Sequence, residues 1–218
     1  MHLPWKEIDT VLLDMDGTLL DLNFDTHFWR EHVPAAYAQL LQCSPDQAKE
    51  QLYPKFRSKE GSMDWYCVDY WSQELGLDIA AMKAQLRHLI AIRTHVIEFL
   101  QALQTTDKKV VLLTNAHRKS LDLKMEHTQL RDYFHQIICT HDLGYPKENP
   151  LFWPLLQRAM PFSLDKTLLI DDSVPILQSA KQYGIQHLIT IHQPDSNMPP
   201  KPASEFHSLQ SFDEIMPH

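Results

Sequence analysis

The stretch from Ile8 to Thr18, IDTVLLDMDGT, places a short run of β-branched and leucine side chains directly before two aspartates and a glycine. A continuous apolar run that stops at a tight turn is typical of a strand buried on both faces of a parallel sheet. We therefore predict that the first strand of the chain ends at Asp14 and that Gly17 lies in the turn that follows.

Further apolar runs of the same kind follow along the chain, at Lys109–Thr114, Ile137–Thr140, Thr167–Asp171 and His187–Ile191. Apolar residues recur at helical spacing between these five predicted strands. One of the intervening helices is expected to begin with Ser173 as its N-cap and to end at Gly184, a residue suited to the left-handed conformation. Strands that alternate with helices predict an α/β fold with a doubly wound, Rossmann-like parallel sheet.

The segment 22–92 interrupts this alternation, because it contains no strand-like run and shows about four helical patterns. One of these helices starts at Ser44, which is followed three residues later by Gln47, the spacing of a capping box. We predict that segment 22–92 is an all-helical cap domain inserted into an α/β core formed by residues 1–21 and 93–218.

Composition limits the kinds of partner that we expect. The chain has 218 residues, 44% of them hydrophobic, and a formal net charge of −8. This charge argues against a nucleic-acid polymer as a partner, since binding to a phosphate backbone needs a concentrated basic surface. No apolar stretch approaches the roughly 20 residues that span a bilayer, so we expect a cytoplasmic protein without a membrane partner. The proline-rich stretch Gln193–Pro202 is expected to form an exposed loop.

Polar side chains cluster where the predicted strands end, at the edge of the sheet where open α/β proteins bind ligands. These residues are Asp14, Asp16, Thr114, Asn115, Lys147, Asp171 and Asp172. Four carboxylates at one edge would raise each other's pKa strongly unless a cation lay among them. Since only oxygen ligands are offered, the expected ion is Mg²⁺.

Each of these residues also has a purely structural interpretation. Asp16 and Gly17 could form only a turn, and the pair Asp171 and Asp172 could only cap the helix that follows. Thr114 could be an ordinary hydroxyl at the end of a strand, and Lys147 a solvated loop lysine. The ionic argument nevertheless favours a functional site, because Mg²⁺ and Lys147 together would cancel three of the four negative charges. The remaining charge suggests that one carboxyl is protonated, as a general acid must be.

Four segments of the chain resemble, in order, the four motifs of the haloacid dehalogenase superfamily. They are DMDGT at Asp14, LLTN at Thr114, YPKE at Lys147 and LLIDD at Asp171. The resemblance implies that Asp14 attacks phosphorus to form an aspartyl phosphate. It further implies that Asp16 protonates the leaving oxygen and then activates water.

The same resemblance implies roles for the other residues. Thr114 and the backbone of Asn115 would hold the phosphoryl oxygens at the start of the following helix. Lys147 would bind phosphate and neutralise charge on the nucleophile. Mg²⁺ would be held by Asp14, the backbone carbonyl of Asp16, Asp171 and Asp172.

Beyond these motifs, the strings DWYCVDYW, LLTNAH, THDLGYPKE and LLIDDSVPIL resemble bacterial purine 5′-nucleotidases that act on GMP and IMP. The resemblance implies a phosphomonoester substrate, with a purine nucleoside 5′-monophosphate as the specific expectation. Aromatic residues of the cap could stack on the base, and the alternative for each is a place in the cap core. They are Phe24, Phe28, Trp29, Trp65, Tyr66 and Trp71, among which Trp65 and Tyr66 are our first candidates for substrate specificity.

Other functions share part of this pattern. A sugar-phosphate or phosphoglycolate phosphatase or mutase would have the same core motifs and differ only in its cap. A metal-free dehalogenase would have no use for Asp16. A receiver-like phospho-acceptor domain would place its acidic pair before the phosphorylated aspartate, which is the reverse of the order here. The sequence leaves the oligomeric state open.

Overall fold

The computed structural model of the chain describes residues 3–217. A six-stranded parallel sheet has the order β3-β2-β1-β4-β5-β6. Its strands are β1 (Thr10–Leu13), β2 (Lys109–Thr114), β3 (Gln136–Cys139), β4 (Thr167–Ile170), β5 (His187–Ile191) and β6 (His207–Leu209). The prediction of five strands missed β6, because a three-residue strand with two polar side chains shows no apolar run.

Helices occupy most of the remaining chain. The α-helices are α1 (Asn23–His27), α2 (Val33–Leu41), α3 (Pro45–Lys59), α4 (Met63–Tyr66), α5 (Val68–Leu75), α6 (Ile79–Gln85), α7 (Val96–Gln104), α8 (Arg118–Thr128), α9 (Phe152–Ala159) and α10 (Val174–Tyr183). A π-helical turn, Phe28–His32, joins α1 to α2, and short 3₁₀ turns lie at Trp5–Glu7, Arg87–Leu89, Arg131–Tyr133, Thr140–Asp142, Leu164–Lys166 and Phe212–Ile215. Within residues 3–217, no helix has both the length and the apolar character that crossing a membrane requires.

The sheet is buried on both faces, as the continuous apolar runs predict. Successive side chains of a strand point to opposite faces. Leu12 therefore packs in a cluster with Trp153 of α9 and Leu177 of α10, while Leu13 packs in a second cluster with Leu121 of α8. Helices cover both faces of the sheet, which confirms the doubly wound α/β fold.

Chain order changes direction beside β1. The chain moves outward from β1 through β2 to β3 and then returns to the other side of β1 with β4. The carboxyl ends of β1 and β4 thus form the switch point at which ligands bind in folds of this kind. β1 ends at Leu13 and β4 at Ile170, so Asp14 and Asp171 are each the first residue beyond a strand.

The predicted limits of α10 hold, but one contact differs. Ser173 occupies the N-cap position and Gly184 ends the helix with a φ of 110°. The Ser173 side chain makes no capping hydrogen bond. Its backbone N–H donates to Oδ1 of Asp171 at 2.9 Å, so the carboxylate of the preceding loop binds the N-cap residue itself.

Segment 22–92 is helical, with α1 to α6 where about four helices were expected. Short helices such as α1 and α4 carry too few residues to show a period, which explains the difference. The capping box of Ser44 and Gln47 is present. The chain enters this segment near Asp21 and leaves it near Ala91. These two connections lie side by side, since the Asp21 N–H donates to the Ala91 carbonyl at 2.9 Å. The domain limits of 22–92 and the flanking core remain predictions.

The stretch 193–202 contains neither helix nor strand, but it is not wholly exposed as predicted. Pro194 and Asp195 are buried. The Pro194 carbonyl accepts hydrogen bonds from Leu22 N–H at 2.9 Å and from Nη1 of Arg93 at 3.1 Å. These bonds attach the stretch to both connections between segment 22–92 and the sheet. Such long-range contacts cannot be predicted from local composition.

Candidate active site

Lys147 lies at the centre of the polar cluster. Its side chain is fully buried, and its Nζ donates to Oδ1 of Asp14 and to Oδ2 of Asp171, both at 2.6 Å. A third hydrogen bond, of 2.9 Å, goes to the Leu113 carbonyl. Burial acts to lower the pKa of Lys147, but the two carboxylates outweigh it and hold the pKa above its ordinary value. Lys147 is therefore a permanent cation between the two aspartates.

Asp14, Asp171 and Asp172 form a compact acidic cluster, in which one carboxylate oxygen of each lies within 4.8 Å of the others. Burial raises the pKa of Asp14 to about 6, although Lys147 acts in the opposite direction. Burial also raises the pKa of Asp171 and of Asp172. Crowded carboxylates of this kind are unfavourable unless a cation joins them.

The residues present fit a divalent cation. Oδ2 of Asp14 is buried without a hydrogen-bond partner among the residues that the structure describes. An unpartnered buried carboxylate oxygen costs free energy, and a cation nearby would reduce this cost. All the ligands on offer are oxygens, which suit a hard cation.

Gly17 allows the DMDGT turn to approach the end of β4. Its φ is 86°, and a Cβ added there would lie 2.8 Å from Cγ of Asp172. The next residue, Thr18, accepts a hydrogen bond through Oγ1 from the Asp172 N–H at 3.1 Å. The turn after β1 and the loop after β4 are thus held together, so that Asp14 and Asp172 face one another.

The Asp16 carboxylate forms an ion pair with a lysine of α8. Its Oδ1 accepts a hydrogen bond of 2.6 Å from Nζ of Lys124 on α8, and its side chain is 21% exposed. Burial raises the pKa of Asp16 to about 6 in spite of Lys124. The three-carboxylate cluster does not include the Asp16 side chain. That Asp16 binds metal through its backbone carbonyl stays a prediction.

The polar residues after β2 fasten the loop that carries Lys147. Oδ1 of Asn115 accepts from the Lys147 N–H at 3.0 Å, and Nδ2 of Asn115 donates to Glu148 at 2.9 Å. Oγ1 of Thr114 accepts from the Ala116 N–H at 3.0 Å. The side chain of Asn115 thus has a structural partner on each side, while the predicted phosphate contact uses its backbone.

Tyr66 is the predicted specificity residue that reaches this edge of the sheet. Its hydroxyl donates to Oε1 of Glu148 at 2.8 Å, and Glu148 directly follows Lys147. Burial and Glu148 keep the pKa of Tyr66 above its ordinary value, so the hydroxyl remains a donor. Trp65 lies against the hydrophobic cluster of α2 to α6, and its carbonyl accepts from Nε1 of Trp71 at 3.0 Å.

Three of the six aromatic candidates are excluded as stacking surfaces. Phe24, Phe28 and Trp71 are at most 1% exposed. They fill the core, which is the alternative that aromatic residues in a small helical region favour. Trp29, Trp65 and Tyr66 are only partly buried and keep some accessible surface.

Two lysines of the site carry no sequence signal that identifies them. Lys201 donates to Oδ2 of Asp172 at 2.7 Å and to its carbonyl at 2.6 Å. Lys124 binds Asp16 as described above. Lys201 lies outside any helix or strand, and Lys124 lies on α8 among other charged and polar residues. Only the folded structure therefore shows that they contact the aspartates.

Replacement of Lys147 by methionine is expected to lower the free energy of unfolding of the metal-free protein by about 3–5 kcal/mol at pH 7, because two buried carboxylates lose their cation. Urea denaturation in EDTA measures this loss. Lys201→Met is the matched control, since its side chain is 37% exposed and its pair is partly screened by water. We expect it to cost less than about 1 kcal/mol. Equal losses in the two variants would contradict the central position of Lys147.

Known proteins are similar to this chain over most of its length. The model of the haloacid dehalogenase-like hydrolase family matches residues 8–184. The GMP/IMP nucleotidase YrfG of Escherichia coli is 39% identical over 217 residues, which cover 100% of this chain and 98% of that protein.

Solved structures show the same fold. A HAD phosphatase from Thermococcus onnurineus has a TM-score of 0.78 at 21% identity, with 95% of each chain covered. CbbY from Rhodobacter sphaeroides, in complex with phosphate, has a TM-score of 0.65 at 15% identity, with 95% of this chain and 96% of that chain covered. The family model spans most of the chain and includes all four segments that form the site, so the chain belongs to the haloacid dehalogenase-like hydrolase family.

Proposed function

We propose that this enzyme hydrolyses phosphomonoesters with Mg²⁺ and passes through a phosphate ester of Asp14. The observation that carries the proposal is the environment of Asp14. It lies at the switch point of the sheet with Oδ1 held by Lys147 and Oδ2 buried and unpartnered. A carboxylate so oriented can act as a nucleophile, because one oxygen is fixed and the other is free to attack.

The surrounding residues divide the chemistry between them. Oδ2 of Asp14 attacks phosphorus, and the bond to the leaving oxygen breaks as Asp16 supplies its proton. Asp16 then takes a proton from water, which attacks the aspartyl phosphate and regenerates Asp14. Thr114 and the backbone of Asn115 bind phosphoryl oxygens. Lys147 donates all three of its N–H groups to Asp14, Asp171 and the Leu113 carbonyl, so it binds a phosphoryl oxygen only in exchange for one of these bonds and otherwise acts through its charge. Phosphoryl transfer depends mostly on such positioning and charge neutralisation.

Enzymes of this family generally use a divalent metal, and the cluster of Asp14, Asp171 and Asp172 offers a place for it. We propose Mg²⁺, because it accepts few carboxylates and keeps coordination positions for water and phosphate oxygens. When bound, the ion would neutralise the carboxylates and polarise a phosphoryl oxygen. The carbonyl of Asp16 is proposed as an additional ligand.

We propose purine nucleoside 5′-monophosphates, GMP and IMP among them, as substrates. The proposal rests on the named activity of the Escherichia coli relative, whose similarity extends through segment 22–92. In this segment Trp65 and Tyr66 precede α5, and Tyr66 contacts the Lys147 loop through Glu148. A flat aromatic surface there would suit a bicyclic base.

The substrate proposal predicts a preference that can be measured. We expect kcat/KM for GMP and IMP to exceed that for pyrimidine nucleotides and sugar phosphates by about tenfold to a hundredfold, because base stacking contributes roughly 1–3 kcal/mol. A phosphate-release screen over nucleoside monophosphates, sugar phosphates and phosphoglycolate tests this preference. Better turnover of sugar phosphates or phosphoglycolate would refute the nucleotide proposal and leave the phosphatase proposal intact.

Tyr66 offers a matched pair of variants for the same screen. Tyr66→Ala removes the ring, whereas Tyr66→Phe keeps the ring and removes only the hydroxyl that binds Glu148. If the ring stacks on the base, Tyr66→Ala loses the purine preference and Tyr66→Phe retains it. Trp65→Ala is the corresponding test at the neighbouring position.

The remaining expectations about partners are part of the same proposal. A small phosphorylated molecule is the substrate, and no nucleic-acid polymer or membrane takes part. A cytoplasmic location is proposed on the same grounds of charge and composition.

A further inference from the structure

A buried ionic network joins Asp16 to segment 22–92. Nζ of Lys124 on α8 donates to Oδ1 of Asp16 at 2.6 Å and to Oδ2 of Asp25 on α1 at 2.5 Å. Nζ of Lys83 on α6 donates to the other oxygen of Asp25 at 2.7 Å. The side chains of Lys124 and Lys83 are only 1% and 4% exposed.

The charges of the network balance, since two lysines meet two aspartates. Lys124 also lies 5.0 Å from the ring centroid of Phe24, and Lys83 lies 4.9 Å from the same centroid. A buried ion pair is weak support for stability, because apolar residues of similar volume often stabilise a core equally well. The network is therefore open to a role besides stability, and its member in the proposed reaction is Asp16.

Lys124 restricts where the Asp16 carboxyl can lie. It binds Oδ1 and leaves Oδ2 for the proton that the leaving oxygen receives. Lys124 is itself fixed, because Asp25 occupies a second of its three donors and is held in turn by Lys83. The position of Asp16 thus depends on helix α1 as well as on its own turn, since Lys124 alone joins Asp16 to Asp25 and Lys83 reaches only Asp25.

We propose that Lys124 is a positioning residue, which holds the Asp16 carboxyl in place for proton transfer while Asp25 of segment 22–92 holds the Lys124 ammonium. This inference rests on the proposed role of Asp16. Asp16 is then correctly placed only when α1 lies against α8, so packing of segment 22–92 on the sheet and readiness for proton transfer are linked. Lys124 itself makes no contact with the reacting atoms in this scheme.

The leaving group distinguishes positioning from a structural role. A basic leaving oxygen needs a proton from Asp16, whereas an acidic phenol leaves without much assistance. Phenyl phosphate and 4-nitrophenyl phosphate have nearly the same shape and differ in this respect. Their ratio of kcat/KM therefore reports on proton transfer in the step that breaks the ester bond, and a uniform loss of active protein does not change it.

The test compares Lys124→Met with Lys83→Met, which removes a lysine of similar burial from the same network without touching Asp16. For Lys124→Met we expect kcat/KM on phenyl phosphate to fall by about 10²-fold and on 4-nitrophenyl phosphate by less than about tenfold. For Lys83→Met the ratio of the two substrates should stay within about twofold of that of the unchanged enzyme, since the Asp16 contact is intact.

Each outcome decides a separate question. If the unchanged enzyme hydrolyses neither ester, the proposed phosphatase function fails. If it hydrolyses both and the two variants show the same ratio, positioning by Lys124 is refuted and the phosphatase function stands. Should Lys124→Met not fold, the milder pair Lys124→Gln and Lys83→Gln, which keeps a neutral donor at each position, makes the same comparison.

Discussion

Replacement of Asp14 by asparagine is expected to lower kcat by on the order of 10⁶-fold, the scale of loss caused when a covalent nucleophile is removed from a hydrolase. The amide has the shape of the carboxylate but lacks a nucleophilic oxygen. The fold should persist, because Lys147 keeps its bonds to Asp171 and to the Leu113 carbonyl. Phosphate release from 4-nitrophenyl phosphate measures the rate, and circular dichroism measures the fold.

Asp165→Asn is the control for this variant. Asp165 is exposed and lies in the turn before β4, so the variant makes the same Asp-to-Asn substitution away from the site. We expect its rate to match that of the unchanged enzyme. An Asp14→Asn protein that retained a rate within tenfold of the unchanged enzyme would exclude Asp14 as the nucleophile.

Removal of divalent metal is expected to reduce activity to background. With EDTA the three carboxylates of Asp14, Asp171 and Asp172 outnumber the two lysines that pair with them, and the substrate phosphate adds more negative charge. Mg²⁺ should restore the rate, whereas Ca²⁺ should restore little, because its larger and more variable coordination misplaces the attacking oxygen. Full activity after thorough chelation would contradict the metal proposal.

The same cluster gives metal binding a defined pH dependence. The pKa of Asp14 rises from 3.8 to about 6 on folding, so the metal-free protein loses stability as pH increases through this interval. A bound cation favours the ionised carboxylates and competes with protons. Stabilisation by Mg²⁺ should therefore be larger at pH 7 than at pH 5, as the shift in Tm at saturating Mg²⁺ would show. A shift independent of pH would place the ion elsewhere.

These expectations depend on three lysines that bind the aspartates, of which only Lys147 was identified from the sequence. Lys147 follows β3 and lies in a segment that resembles a family motif. Lys124 and Lys201 lie in segments without such a resemblance, yet each donates to an aspartate of the site. The ion pairs that Asp16 and Asp172 form could consequently be identified only from the tertiary structure.

The aromatic residues illustrate the same difference. Their enrichment in segment 22–92 is visible in the sequence, but enrichment does not distinguish a core from a binding surface. Trp71 is buried in the hydrophobic cluster, whereas Tyr66, five residues earlier, reaches Glu148 beside Lys147. Which of them can meet a substrate depends on how short helices pack, and that packing has no local signature.

The sequence alone determined five of the six strands, the helical layers and the convergence of Asp14, Thr114 and Asp171 at one edge. Apolar runs and turn residues are local patterns, and parallel strands necessarily bring their carboxyl ends together. Only the tertiary structure decided which cation meets which carboxylate. Lys124 and Asp16 are 108 positions apart, and such a pair forms only when α8 packs beside the end of β1. Local patterns cannot encode that contact, because it depends on the packing of the whole chain.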